Sequence, residues 1–182
     1  QHPGGLIDLS VGTPVDPTPQ FIQEALRSAA NSPKYPLTAG TPELCTAIKD
    51  WAIRELGASG EFGVLPLIGS KELVAWIPTL LQSKTLLYPE IAYPTYLVGG
   101  LIAQITVMAV GFHAANWPSA ELAWINSPSN PTGRISSDEE LNGAINWARK
   151  NGVVVSDECY LEFGSTSKPK SILSFSGGDN RN

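Results

Sequence analysis

The stretch "LAWINSPSNPTGRISSDEELNGAINWARKNGVVVSDE", Leu122–Glu158, decides the fold class. Two short apolar runs, "LAWINS" and "GVVVSDE", enclose a segment with the features of an amphipathic helix. Ser136 or Ser137 is suited to cap the start of that helix, acidic residues follow in its first turn, and Gly152 comes just after its basic last turn. The stretch therefore predicts a strand, a helix and a second strand, the unit from which parallel sheets are built.

Three further apolar runs lie upstream, "VLPLIG", "KTLLYPE" and "ITVMAV", and stretches of helical period separate them. Strands that alternate with helices in this way form a largely parallel sheet with helices packed on its faces. We therefore expect an α/β fold with a mostly parallel sheet flanked by helices.

The beginning of the chain has a different pattern. A Pro-rich lead is followed by two predicted helices, "FIQEALRSAA" and "ELCTAIKDWAIREL", with the turn-rich "NSPKYPLTAGTP" between them. We expect this part to form a small subdomain or an arm that packs on a neighbouring molecule.

The composition narrows the choice of partners. The chain of 182 residues has a formal net charge of −5 and no run of basic residues, so nucleic acid and anionic membranes are poor partners and a small-molecule substrate fits better. Its apolar runs are too short to span a bilayer, and its start lacks the pattern of a signal peptide. The two cysteines and two histidines show no metal-ligand spacing. We expect a reduced, cytoplasmic protein that binds no metal.

The turns after the strands are where chemistry is expected, because ligands of open parallel sheets bind beyond the carboxyl ends of the strands. In "LIGSKELVAW", Ser70 and Lys71 open a helix after a glycine, and the free N–H groups there suit an anion, although many capped helices hold no ligand. In "YPEIAYPTY", Tyr93 and Tyr96 offer a stiff aromatic surface to a planar ring, or else pack beneath a loop.

Two later turns add an amide and a carboxylate. The segment "NSPSNPTG" places Asn130 on a turn stiffened by prolines, where its amide can donate to a ligand oxygen. The segment "VVVSDECY" places Asp157 at the end of a buried strand, shortly before Tyr160. A buried carboxylate is costly unless a cation meets it, although an aspartate that only caps a turn is an equal alternative. Together the turns describe a pocket for a phosphorylated heteroaromatic cation.

The ordered set "GSKE", "PEIAYPTY", "NSPSNPTG" and "SDECY" resembles the large domain of the class I/II aminotransferases, which are pyridoxal-phosphate enzymes of fold type I. "DLSVGTPVDPTP" and "KYPLTAGTPEL" resemble the entry and dimer-crossing segments of that family, so the resemblance covers nearly the whole chain. The amino-acid sequences of these segments are most similar to those of the actinobacterial N-succinyldiaminopimelate aminotransferases. The resemblance implies an N-terminal arm and dimer-crossing segment over 1–40 and an incomplete cofactor-binding large domain over 41–182.

The resemblance also implies roles around the ring of pyridoxal 5′-phosphate. Asp157 would pair with the protonated pyridine nitrogen and so keep the ring electron-withdrawing. Asn130 and Tyr160 would hydrogen-bond the phenolic oxygen of the ring, and Tyr93 would stack on the face of the ring.

The remaining implied roles concern the phosphate, the substrate and a second subunit. Ser70 and the backbone of Lys71 would hold the phosphate at the helix start. Tyr35 would reach the cofactor of the neighbouring subunit, which implies a homodimer with shared sites. Gly12 and Asn130 would contact the amino-acid or keto-acid substrate.

A member of this family also needs a lysine that binds the cofactor as a Schiff base, on a strand well after the aspartate. The segment "STSK" imitates the expected motif, but Lys168 follows Asp157 too closely and lies in a loop-like region. We expect Lys168 not to be that lysine, the catalytic lysine to lie outside these 182 residues, and the residues alone to be inactive.

The implied activity is transfer of an amino group between glutamate and a keto acid, with the N-succinyldiaminopimelate chemistry of lysine biosynthesis as the favoured substrate. The motifs hold the cofactor rather than the substrate side chain, so a β-lyase or an aminocyclopropane-carboxylate-synthase-like activity stays open. An aminotransferase-like sensor domain, of the kind fused to DNA-binding modules, and an interaction domain without a cofactor stay open as well.

Overall fold

The computed structural model describes residues 3–7, 12, 14–163 and 168–180. The chain divides into two compact units, 1–37 and 38–182. In the described part of the first unit, helix α1 (Gln20–Ala29) confirms the helix predicted over "FIQEALRSAA". The second unit contains the sheet and the other helices.

The sheet consists of four parallel strands in the order β2-β1-β3-β4. Their bounds are β1 Thr85–Pro89, β2 Thr106–Val110, β3 Leu122–Asn126 and β4 Val153–Asp157. Every residue of β3 is buried, as expected of a central strand that is covered on both faces. The predicted α/β fold with a mostly parallel sheet is confirmed.

The strand predicted at "VLPLIG" is wrong, because residues 64–69 are irregular. A strand needs a neighbour to which its backbone groups can hydrogen-bond, and none of the strands in the described part of the chain pairs with this segment. The side chains of Leu65, Leu67 and Ile68 are correspondingly exposed, Leu65 by 60%. Apolar composition alone indicated a strand here, while the pairing that defines a strand is missing.

Helices cover both faces of the sheet. The longer ones in the second unit are α2 (Pro42–Leu56), α3 (Ser70–Leu80), α4 (Thr95–Ile102) and α5 (Asp138–Asn151). Short 3-10 turns occur at Ala114–Asn116, Leu161–Phe163 and Ile172–Phe175.

The start of α5 shows why its sequence forms a helix there. Ser137 is the N-cap: its hydroxyl accepts from the backbone N–H of Glu140, and the carboxylate of Glu140 accepts from the backbone N–H of Ser137. This reciprocal capping box satisfies two N–H groups that the helix itself leaves free. The structure thus selects Ser137 over Ser136 as the cap.

The core consists of two layers separated by the sheet. On one face Leu86, Leu122 and Trp124 pack with residues of α3 and α4. On the other face Leu87 and Ala123 pack with residues of α5. Adjacent strand residues thus point to opposite layers, as the alternation of side chains along a strand requires. The two layers fix the carboxyl ends of β3 and β4, which carry the polar residues described below.

Among the described residues, no helix combines the length and the apolar content needed to cross a lipid bilayer.

Candidate functional site

A cleft of about 170 Å³ lies where the carboxyl ends of β3 and β4 meet the start of α3. It brings together every cofactor-binding residue that the sequence predicted in the second unit. The lining residues are Ser70, Lys71, Val74, Tyr93, Tyr96, Asn126, Asn130, Asp157, Cys159 and Tyr160.

The start of α3 forms one wall of the cleft. The helix begins at Ser70 directly after Gly69, and no side chain accepts a hydrogen bond from its first turn in the part of the structure described. The first N–H groups of a helix have no partner within the helix, and they lie at the positive end of its dipole. This wall can therefore bind an anion, with the hydroxyl of Ser70 and the charge of Lys71 beside it.

Asp157, the last residue of β4, provides the carboxylate of the cleft. Its Oδ2 accepts a hydrogen bond of 2.7 Å from the hydroxyl of Tyr96, and its Oδ1 accepts one of 3.3 Å from the backbone N–H of Cys159. Burial of Tyr96 raises the pKa of its phenol far above the ordinary value, and the hydrogen bond to Asp157 raises it further. Tyr96 is therefore a permanent donor, which fixes one carboxylate oxygen.

The two tyrosines of "YPEIAYPTY" have different roles. The ring of Tyr96 is fully buried and stacks on Trp124, with centroids 4.7 Å apart and planes at 20°. The rings of Tyr93 and Tyr96 meet edge to face, with centroids 5.9 Å apart and planes at 79°, and Tyr93 is only half-buried. The prediction that both tyrosines offer their rings to a ligand is therefore wrong for Tyr96, which packs in the core and donates to Asp157.

Asn126, the last residue of β3, holds the backbone of Asn130 in place. The sequence analysis did not identify Asn126 as a site residue. The Oδ1 of Asn126 accepts from the backbone N–H of Asn130 at 2.7 Å, and its Nδ2 donates to the carbonyl oxygens of Pro128 and Asp157 at 3.1 and 2.9 Å. The amide of Asn130 donates to the hydroxyl of Tyr160 at 3.4 Å. The available signal for Asn126 was a polar residue at the end of the buried run "LAWIN".

Cys159 is a second residue of the cleft that the sequence did not single out. Partial burial of its thiol, the charge of Asp157 and the hydrogen bond to Asp157 raise the pKa of Cys159 to about 11. The thiol is therefore protonated at neutral pH, so it adds no second negative charge beside Asp157.

The other predicted residues lie elsewhere. Gly12 and Tyr35 belong to the first unit and are exposed, Tyr35 by 97%, so their roles stay predictions. Lys168 extends to Glu55, with 3.5 Å between Nζ and Oε2. That pairing gives Lys168 a surface contact instead of a place in the lining of the cleft.

The donor set of the cleft fits pyridoxal phosphate. A helix start suits the phosphate dianion, Asp157 suits a protonated pyridine nitrogen, and the half-buried ring of Tyr93 suits the face of a planar ring. Asn130 and Tyr160 supply an amide and a phenol for the phenolic oxygen. No group of three or more His, Cys, Asp or Glu side chains in the described residues could hold a metal ion.

Comparisons with known proteins agree with this chemistry. The "Probable aminotransferase" of Mycobacterium tuberculosis is 48% identical over 179 residues, which cover 94% of this chain and 43% of that protein. The 4-dedimethylamino-4-oxo-anhydrotetracycline transaminase OxyQ of Streptomyces rimosus is 41% identical, over 94% of this chain and 50% of that protein. The structure of a probable N-succinyldiaminopimelate aminotransferase from Thermus thermophilus superposes with a TM-score of 0.85 at 28% identity, over 97% of this chain and 53% of that chain.

The chain spans about half the length of the curated relatives that it matches. The family described as aminotransferase class I and II, whose cofactor is pyridoxal phosphate, matches residues 5–181. With the parallel sheet and the polar residues at the carboxyl ends of its strands, this match over nearly all of the sequence identifies the chain as a member of the class I and II aminotransferases.

Proposed function

We propose that the whole protein is an aminotransferase that uses pyridoxal phosphate to move an amino group between glutamate and a keto acid. The observation that carries the proposal is the cleft, where the anion-binding start of α3 and the carboxylate of Asp157 line the same cavity. An anion site and a carboxylate together suit a ligand with a phosphate at one end and a protonated nitrogen at the other.

The residues of this chain bind and orient the cofactor in this proposal. Ser70 and Lys71 hold the phosphate, while Tyr93 covers one face of the ring. When bound, pyridoxal phosphate supplies an electron sink for the bond that breaks at the substrate α-carbon. Asp157 strengthens that sink, because a carboxylate beside the ring nitrogen keeps the proton on that nitrogen.

The surroundings of Asp157 support this role. Tyr96 donates to one carboxylate oxygen and cannot lose its proton at neutral pH, so that oxygen has a fixed direction. The thiol of Cys159 also keeps its proton at neutral pH, because partial burial and the charge of Asp157 raise its pKa. Asp157 is thus the negative group available to a ring nitrogen at this end of the cleft.

Asn130 and Tyr160 act on the other side of the ring. Their mutual hydrogen bond of 3.4 Å is long, so both groups can turn toward a ligand oxygen at little cost. We assign them to the phenolic oxygen of the cofactor, where two donors favour the ionised form of that oxygen. Asn130 also faces the substrate in this proposal, together with Gly12.

The proposed substrate is N-succinyldiaminopimelate, which would place the protein in lysine biosynthesis. The amino-acid sequences of the motifs and the similarity to the Thermus thermophilus structure support this choice. The relative from Streptomyces rimosus acts, by its name, on an oxo-anhydrotetracycline, and it is more similar in sequence. The keto acid that corresponds to N-succinyldiaminopimelate and the oxo-anhydrotetracycline therefore belong in the same assay.

We also propose a cytoplasmic homodimer in which Tyr35 reaches the cofactor of the partner subunit. The resemblance of "KYPLTAGTPEL" to a dimer-crossing segment supports this arrangement. The exposed ring of Tyr35 is compatible with a contact to a second chain.

The experiment is a transamination assay on the purified whole protein. Glutamate and pyridoxal phosphate are supplied with each candidate keto acid, and formation of 2-oxoglutarate and of the new amino acid is followed by mass spectrometry. We expect equal amounts of both products. A parallel reaction supplies cystathionine alone, and its cleavage to homocysteine, pyruvate and ammonia would indicate a β-lyase. Failure of the protein to bind the cofactor would contradict the proposal.

A further inference from the structure

Arg134 ends the turn that carries Asn130, and its side chain lies between an aromatic ring and a carboxylate. Its guanidinium carbon is 3.9 Å from the centroid of the Phe112 ring, and its Nη2 donates to Oε1 of Glu140 at 2.5 Å. The side chains of Arg134 and Glu140 are 35% and 7% exposed. A charge-assisted hydrogen bond that is partly shielded from water, from a guanidinium that also lies over a ring, holds one geometry better than an exposed ion pair does.

The backbone of Arg134 closes the same turn. Its carbonyl oxygen accepts from the N–H of Ser129 at 2.9 Å, and the N–H of Gly133 donates to the carbonyl oxygen of Ser129 at 2.7 Å. Ser129 directly precedes Asn130. A displacement of Arg134 therefore moves the peptide group next to Asn130.

The two partners of the Arg134 side chain lie after a strand and in a helix. Phe112 comes two residues after the end of β2 at Val110. Glu140 is in the first turn of α5, where its second carboxylate oxygen accepts from the backbone N–H of Ser137. Arg134 thus links the turn to the segment after β2 and to α5, while Asn126 links it to β3.

We propose that Arg134 is a positioning residue, which sets the direction of the Asn130 amide in the cleft through its contacts with Glu140 and Phe112. The hydrogen bond from Asn130 to Tyr160 is 3.4 Å long, near the limit for such a bond, so a small displacement of the turn breaks it. The contact of Asn130 with the cofactor rests on the proposed function, whereas the fixing of the turn by Arg134 does not.

The first test uses the cofactor in the whole protein. Arg134→Met removes the charge and keeps much of the side-chain length, whereas Arg134→Lys keeps the charge. Arg54→Met is a matched control, because it removes an exposed ion pair with Glu55. Because a hydrogen bond to the phenolic oxygen contributes about as much as a tenfold change in affinity, we expect Arg134→Met to weaken pyridoxal-phosphate binding about tenfold. The pH midpoint of the visible absorbance of the bound cofactor should shift by at least about half a unit, because that hydrogen bond favours the ionised oxygen. Arg134→Lys should restore part of both effects, and Arg54→Met should change neither.

The second test needs no cofactor. In NMR spectra of the whole protein, Arg134→Met should shift the side-chain amide signal of Asn130 and speed hydrogen exchange of the Ser129 and Gly133 amides, and Arg54→Met should do neither. An Asn130 signal and an absorbance midpoint that stay at their wild-type values would overturn the proposal, even if Arg134→Met lowers the thermal stability. If the wild type binds no pyridoxal phosphate, the proposed function fails, and the Asn130 signal alone decides whether Arg134 positions it.

Discussion

Asp157 gains its direction from two residues that are distant from each other in the sequence. The phenol of Tyr96 and the backbone N–H of Cys159 donate to different carboxylate oxygens. Asp157→Asn keeps the shape and removes the charge, so the ring nitrogen of the cofactor loses its anionic partner. We expect kcat/KM of the whole protein to fall at least about a hundredfold, roughly 2.7 kcal/mol of barrier, in a steady-state transamination assay.

Asp50→Asn is the matched control, because it removes the charge of an exposed aspartate on α2. It should leave kcat/KM unchanged. Near-normal turnover of Asp157→Asn with bound cofactor would remove Asp157 from the role proposed for it.

The thiol of Cys159 reports on the charge of Asp157 without any assay of activity. With a pKa of about 11, Cys159 should react slowly with iodoacetamide at pH 8, because only about 0.1% of it is thiolate compared with about a quarter of an ordinary thiol. Asp157→Asn should lower that pKa and speed the reaction, because the nearby negative charge is gone. Alkylation of Cys159 is followed by peptide mass spectrometry across pH 7 to 11 in the cofactor-free whole protein. A midpoint near 8.5 in the wild type would contradict the expected effect of burial and charge.

The junction of α5 with β4 depends on a glycine that packs against backbone. A Cβ at Gly152 would overlap the carbonyl group of Glu121 and lie 2.7 Å from the carbonyl oxygen of Ala120. Because backbone cannot move aside as a flexible side chain can, we expect Gly152→Ala to lower the free energy of unfolding by about 1–3 kcal/mol.

Gly143→Ala, within α5, is the control, since its Cβ would meet Ala114 at an ordinary 3.7 Å. Urea unfolding should show Gly143→Ala unchanged or more stable by up to about 1 kcal/mol. Equal effects of the two substitutions would contradict the close packing at Gly152.

The free energy of unfolding should depend on pH because of Glu140, which lies in the first turn of α5. Burial by itself raises the pKa of Glu140, but the hydrogen bonds from Arg134 and from the N–H of Ser137 and the charge of Arg134 outweigh it, and the pKa is lowered. A carboxyl whose pKa is lower in the folded state adds stability above its unfolded pKa of about 4.3 and loses it as the pH falls through the folded value.

Glu140→Gln should therefore lower the free energy of unfolding by about 1–3 kcal/mol at pH 7. The difference from wild type should shrink as the pH falls below about 4, as measured by urea titration at each pH. Glu139→Gln, an exposed change in the same helical turn, should cost less at every pH. A loss from Glu140→Gln that is the same in acid as at neutral pH would show that charge is not its cause.

Across the whole chain, the sequence predicted best what neighbouring residues decide. The period of the segment after Ser137 and its capping residues predicted α5, and four of the five apolar runs form strands. The hydrogen bond from Tyr96 to Asp157 joins residues 61 positions apart, so no local pattern could predict it. For the same reason "VLPLIG" was misread, because pairing with another strand is a property of the tertiary fold.

The proposed homodimer allows a test in which two defective chains restore one working site. If Tyr35 serves the partner subunit, a mixed dimer of Tyr35→Ala and Asp157→Asn chains contains one site with both native residues and one site with neither. Random pairing makes about half of the dimers mixed, so co-expression should recover about a quarter of wild-type activity while each variant alone is impaired. If Tyr35 serves its own subunit, both sites of the mixed dimer are defective and nothing is recovered. Size-exclusion chromatography with light scattering checks that all samples are dimers, and a monomeric wild type would contradict the shared site directly.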